Sequence, residues 1–253
     1  MTVSLQAYLE NLEEETYELM VGTGDSNALS YGFTKKRAVH PGVSGQMIPP
    51  PMAPQKWVEL MGQEPDMSKK RMVYIHIPFC SHICLYCGFF QNFINEDREQ
   101  RYVARLLKEL EMAKADKMLQ AKPMQCVFFG GGTPSALSPA NIAKVLQKLK
   151  ECIPLTNDCE ITMEARIYDL QKERIEAWFA NGVNRVSIGV QSFDTKIRQA
   201  SGRLDTKETV MERLKLISSY DQASIIVDII FGLPGQTLDS FMEDLACIDS
   251  LSI

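Results

Sequence analysis

From Met72 onward, short apolar runs alternate with amphipathic stretches, and this alternation limits the fold more than any single motif does. The spacing predicts strands over 72–77, 125–129, 160–164, 185–190 and 224–231. Helical patterns lie between them. Tyr102, Val103, Leu106, Leu107 and Leu110 form one stripe behind the cap Asn95, and Ile142, Val145, Leu146 and Leu149 another behind Ser138-Pro139. A third helix is expected over 170–181, stopped by Asn181-Gly182. A fourth opens at a capping box, Asp205-x-x-Glu208, and a fifth follows Thr237. Strands joined through helices pair in parallel, because the chain must cross back over the sheet between them. Five such units in about 180 residues predict an α/β fold whose chemistry gathers at the carboxyl ends of the strands, as it does in β/α barrels.

Every unusual motif falls at such an end: a cysteine loop after the first strand, a glycine run after the second, then Glu164, Gln191 and Asp228. Cys80, Cys84 and Cys87, spaced C-x3-C-x2-C, supply three thiolates, one short of the ligand set of a four-iron cluster or a tetrahedral zinc. The same spacing is one face of a helix and would suit three buried structural cysteines. Pro78, Gly88 and the strand pattern of Ile75 to Phe79 disfavour a helix there. A zinc site would recruit His76 or His82, yet structural zinc usually gathers ligands in two pairs and no second pair exists. The balance favours a cluster, with zinc and buried thiols left open.

Gly130, Gly131 and Gly132 let backbone approach a ligand closely, or simply turn the chain. Tyr86 can lay its ring against an adenine or serve as a core aromatic. Asp228 interrupts an apolar strand, where an unpaired carboxylate would cost several kcal/mol, so a ribose diol or a structural hydrogen bond is expected for it. Glu164 with Arg166 form a charged pair, and Arg203 after Gly202 offers a cation for a carboxylate; each is equally a surface ion pair.

A net charge of −5 gives no nucleic-acid footprint. No 18-residue apolar run suits a membrane span, and Met1 to Gly22 carry five glutamates and no apolar signal region, so a cytoplasmic enzyme is expected. Cys126, Cys152, Cys159 and Cys247 stand singly, as reduced packing residues do. Residues 1–70 form the first expected unit. An acidic stretch, Leu5 to Met20, is followed by Gly22-Thr23-Gly24-Asp25, which lacks the strand and third glycine of a dinucleotide site. The prolines 49, 50, 51 and 54 then argue for an extended arm. The second unit is 71–253.

The set Tyr74-Ile-His76-Ile-Pro-Phe-Cys80, Gly130-Gly-Gly-Thr133-Pro134, Gly189-Val-Gln191-Ser-Phe193-Asp194 and Asp228-x-x-x-Gly232-Leu-Pro234-x-Gln-Thr237 resembles the oxygen-independent coproporphyrinogen III dehydrogenase-like branch of the radical S-adenosylmethionine (SAM) superfamily. The resemblance covers roughly residues 70 to 250. It implies a partial (β/α)6 barrel, ending here after the fifth unit and short of any carboxyl-terminal domain. It also implies a [4Fe–4S] cluster on Cys80, Cys84 and Cys87, with SAM contacts at Tyr74, Gly131, Glu164, Gln191, Arg203 and Asp228 and with Tyr86, Gly132 and Thr133 beside them. Gly88-Phe89-Phe90 stands where the dehydrogenase has a further cysteine. Together with Tyr31-Gly-Phe-Thr-Lys35 through His40-Pro-Gly and Glu164-Ala-Arg166, it is similar to the anaerobic haem-utilisation branch, methyltransferases that open the haem ring. The implied partners are a tetrapyrrole, haem or coproporphyrinogen III, and a low-potential electron donor such as flavodoxin, with His40 or His76 as candidates to meet haem iron. The same resemblance admits oxidative decarboxylation of coproporphyrinogen III, or a haem chaperone without catalysis.

Overall fold

The computed structural model describes residues 11–14, 16, 47–90, 92–251 and 253. Most of Leu5 to Met20, all of Gly22 to Asp25, and the Tyr31 to Gly42 segment with His40 lie outside them. The chain divides into two units, Met1–Lys56 and Trp57–Ile253. At the end of the first, the 3-10 turn Pro50–Met52 leads into helix α1 (Ala53–Met61), where the sequence predicts extended chain. The prolines that argued against a helix stand in the opening turns, where a missing N–H breaks no hydrogen bond.

In the second unit the five long strands follow the predicted order: β1 (Met72–Ile77), β4 (Met124–Gly131), β5 (Leu155–Arg166), β6 (Arg185–Gln191) and β7 (Ser224–Ile229). All neighbours pair in parallel, in the order β1-β4-β5-β6-β7. The helices crossing between them are α2 (Glu96–Met112), α4 (Pro139–Cys152), α5 (Lys172–Ala180) and α7 (Lys207–Ser218), with α8 (Leu238–Asp249) after β7 and the short α3 (Lys117–Gln120) before β4. Side chains alternate across each strand. Val127, Phe129, Ile161, Met163, Val186, Ile188 and Val190 are buried on one face, in a core with Leu106, Leu110, Ile142, Leu146, Leu149, Ile175, Trp178, Val210 and Leu214 of the helices. Each such side chain contributes about 1.5–3 kcal/mol on leaving water. The opposite face carries Glu160, Thr162, Glu164 and Arg166 of β5, Arg185, Ser187, Gly189 and Gln191 of β6, and Asp228 of β7, none of them an aliphatic core residue. Phe128 of β4 and Ile226 of β7 share this otherwise polar face.

Local capping departs from expectation in two places. Asp205 and Glu208 make no capping box; Thr206 caps α7 and accepts the Thr209 N–H. Asp205 is drawn instead to Arg198, on the unforeseen short helix α6 (Thr195–Ala200). Ser138 does not cap α4 with its hydroxyl; its own N–H donates to Glu99 of α2, which also accepts from Asn141. Asn95 caps α2 as expected, accepting the Arg98 N–H.

Candidate functional site

The cysteine loop leaves β1 through two residues, β2 (Phe79–Cys80), which pair with β3 (Asn92–Phe93). The pairing pins both ends of the loop, and Ile94 adds an N–H to the Cys80 carbonyl. Between these ends the described residues are not helical, so the three sulfurs are presented by a tied loop. All three thiols are free, and all line one cavity of about 250 Å3 at the carboxyl ends of the strands. Tyr86, Gly131, Gly132, Thr133, Glu164, Gln191, Arg203 and Asp228 line it too, together with Arg166 and Ser187. Tyr74 does not: it lines a second, larger cavity beside β1. Its hydroxyl meets His76 Nδ1 at 3.2 Å and its ring stacks on Phe128.

Each sulfur accepts a hydrogen bond. Thr133 donates its hydroxyl to Cys80 Sγ at 3.3 Å, Arg166 Nη2 donates to Cys84 Sγ at 3.1 Å, and the Phe89 N–H reaches Cys87 Sγ at 3.4 Å. Burial pushes the Cys80 thiol up, and the neighbouring Cys87 and Cys84 sulfurs add to the shift. Three free thiols lining one cavity are a donor set that an iron–sulfur cluster would use as thiolates. Among the described residues no three His, Cys, Asp or Glu side chains close around a single point as a lone metal ion requires. His76 turns to Tyr74, and the His82 ring packs on Tyr168, so neither completes a zinc set.

The glycine run serves the chain itself as well as the cavity. A Cβ on Gly132 would lie 2.6 Å from the Phe79 carbonyl oxygen, and one on Gly131, at φ +114°, would strike the His76 ring. Only glycines let β4 pass this close to the base of the cysteine loop. Asp228, expected to be buried, is exposed, and the Ser187 hydroxyl donates to it at 2.8 Å. Arg166 makes no pair with Glu164; its guanidinium turns to the cysteine loop. Arg203 is buried and donates from Nε and Nη2 to the Tyr86 hydroxyl, at 3.1 and 2.8 Å, and from Nη1 to the Gly189 carbonyl. Burial pushes the Tyr86 phenol up to about 12, so it stays neutral and leaves the Arg203 charge uncompensated. Gln191 ends β6 at φ 74°, a left-handed strain for a non-glycine residue, where the β6–β7 register shifts.

Glu164 is held above the usual carboxylate range, first by burial and then by the Asp228 charge, against a Gly131 N–H that lowers it. A raised carboxyl favours the fold when protonated, and that contribution is lost as pH rises through the folded pKa. Glu164→Gln is therefore expected to match the parent's stability below about pH 4. It should exceed the parent increasingly as the carboxyl ionises, while losing affinity for a cationic ligand. Denaturant titrations of both proteins across this range check it; a gap independent of pH would contradict it.

Three features escaped the sequence. Ser187 reads as an ordinary strand residue. Arg198 is fully buried on α6 and donates to the Val190 and Ser192 carbonyls on either side of Gln191. Asp244 of α8, also buried, accepts from the Phe193 N–H, the Ser192 hydroxyl and Gln236. The polar residues of Gln191-Ser-Phe-Asp194 and Gln236-Thr237 thus lock α8 to the end of β6 and cap α6 and α8.

A five-stranded parallel sheet with a three-cysteine loop after its first strand defines a class, and the radical SAM superfamily model matches residues 74–248. The chain belongs to the radical SAM superfamily, whose enzymes use a [4Fe–4S] cluster and SAM. It is 41% identical over 214 residues to anaerobilin synthase of Escherichia coli O157:H7, covering 85% of this chain and 48% of that protein. It is 32% identical to the heme chaperone HemW of Lactococcus lactis subsp. lactis, over 71% of this chain and 46% of the relative. The solved coproporphyrinogen III oxidase HemN from Escherichia coli superposes with a TM-score of 0.69 at 26% identity, over 78% of this chain and 45% of that one. The chain thus spans about half the length of the curated relatives it matches. No described helix is long and apolar enough to cross a membrane.

Proposed function

We propose that residues 71–253 are the SAM-binding core of an enzyme that opens the haem ring without oxygen, by methyl transfer and carbon-bridge cleavage with release of iron. Residues 1–70 are then an extension of that core. The observation that carries this reading is the meeting of Cys80, Cys84 and Cys87 with residues from four strand ends in one cavity. Cys80, Cys84 and Cys87 would hold the [4Fe–4S] cluster, which supplies a low-potential electron and an iron position open to the amino and carboxylate groups of SAM.

The remaining residues bind and orient. Asp228, with Ser187 fixing one carboxylate oxygen, suits the diol of a ribose. Glu164 offers a carboxylate to a cationic amino group, and its partial burial strengthens that attraction. Arg203, neutralised by no carboxylate among the described residues, suits the carboxylate of the same ligand, and Tyr86 holds it in place. Gln191 presents its amide from a backbone kept strained by its neighbours. Tyr74 stands one step away, against Glu164 and Gly130, and would act through them. Haem is favoured over coproporphyrinogen III by the similarity to anaerobilin synthase and by Gly88-Phe89-Phe90, which lacks the fourth cysteine. A flavodoxin-like donor and a cytoplasmic setting complete the proposal.

The test is anaerobic incubation of reconstituted protein with SAM, a reductant and haem. The expected outcome is loss of haem absorbance with a methylated linear tetrapyrrole. Conversion of coproporphyrinogen III instead would assign oxidative decarboxylation, and stable haem uptake without turnover would assign a chaperone.

A further inference from the structure

Arg166 ends β5, and its side chain leaves the sheet for the cysteine loop. Its Nη1 donates to the His82 carbonyl at 2.8 Å and its Nη2 to Cys84 Sγ at 3.1 Å, so one guanidinium holds both the loop backbone and a candidate ligand sulfur. The strand end that carries it is fixed from behind. The Arg166 N–H donates to Ser135 Oγ at 3.2 Å, and Ser135 donates to the buried Asp169 at 2.7 Å. Among the described residues Arg166 makes no ion pair within 4.0 Å, so its charge is not spent on a carboxylate.

We propose that Arg166 is a positioning residue that raises the reduction potential of the cluster through its hydrogen bond to Cys84; this rests on the cluster assignment above. Reduction adds one electron to a cluster already rich in thiolate charge. A cation donating to a ligand sulfur stabilises that added charge more than it stabilises the oxidised state. Hydrogen bonds to cluster sulfurs and the charge beside them are the protein's means of setting such potentials. The position matters because the electron must then pass to SAM: a cluster held too high loses driving force, and one held too low escapes its donor.

The measurement is an EPR-monitored redox titration, without SAM or substrate, of anaerobically reconstituted parent, Arg166→Gln and Arg166→Lys, with iron and sulfide assayed on each. Arg166→Gln should hold the cluster and shift its reduction equilibrium roughly tenfold toward the oxidised form, about 59 mV lower for a one-electron couple. Arg166→Lys, which keeps the charge but not the two-pronged geometry, should fall between. If only the lysine variant holds a cluster, a lowered midpoint supports the proposal and an unchanged one overturns it. Equal midpoints in Arg166→Gln and the parent overturn it, and so does loss of the cluster from both variants, which would make Arg166 a scaffold for the loop alone. A parent without any cluster overturns the cluster assignment itself, and the proposal with it.

Discussion

Cys84→Ala is expected to give soluble, folded protein without the brown iron–sulfur chromophore and without SAM cleavage. The side chain is small and sits in a loop fixed at its ends by β2 and β3, so losing one sulfur should cost only about 1 kcal/mol of stability. The functional loss should be complete, because two thiolates cannot anchor a cluster that needs three. Arg166 would also lose its sulfur partner while keeping the His82 carbonyl. Absorbance after anaerobic reconstitution and release of methionine from SAM check both halves. An unchanged spectrum would mean that the triplet only packs.

Arg198→Met should cost far more stability than Cys84→Ala. Arg198 donates to the Val190 and Ser192 carbonyls, the Asp205 carbonyl and the Asp205 carboxylate, all from a fully buried position. Burial lowers its guanidinium to about 10, still charged at neutral pH. Removing one partner of such a network leaves acceptors buried without donors, which costs about 3–5 kcal/mol. In a domain of this size the melting temperature should fall by on the order of 10 °C. The same clamp holds the residues flanking Gln191, whose left-handed backbone would relax without it. SAM affinity should therefore weaken more than the loss of folded protein explains. A variant that melts within about 2 °C of the parent would contradict this account of Arg198.

These two residues also mark how far the sequence could be read. Cys84 was legible because ligand spacing is local: three thiols within eight residues need no knowledge of what folds beside them. The five strands were legible for a similar reason, since each is a run of apolar residues between turn signals. Asp228, Glu164 and Gln191 could be aligned on one rim once those strands were taken as parallel. Arg198 was not legible. Its partners are backbone carbonyls that only the kink after β6 exposes, and a helix as short as α6 has no periodicity to betray it. The burial of Asp228 was misjudged because the adjacent Val227 lies on the opposite face of β7, while Asp228 is exposed on the face it shares with Ser187. Arg166 was assigned the wrong partner: spacing put it beside Glu164, but the loop carbonyl at His82 is 84 residues away and invisible to any local pattern. Charged residues choose partners in three dimensions, and one chain of letters records only neighbours.

The most direct measurement is Mössbauer and EPR spectroscopy of the anoxically purified, unaltered protein, with and without SAM. A [4Fe–4S] signature whose EPR signal changes when SAM is added is the expected result, because three cysteine ligands would leave one iron for SAM. Protein that carries zinc, or a cluster indifferent to SAM, would contradict it.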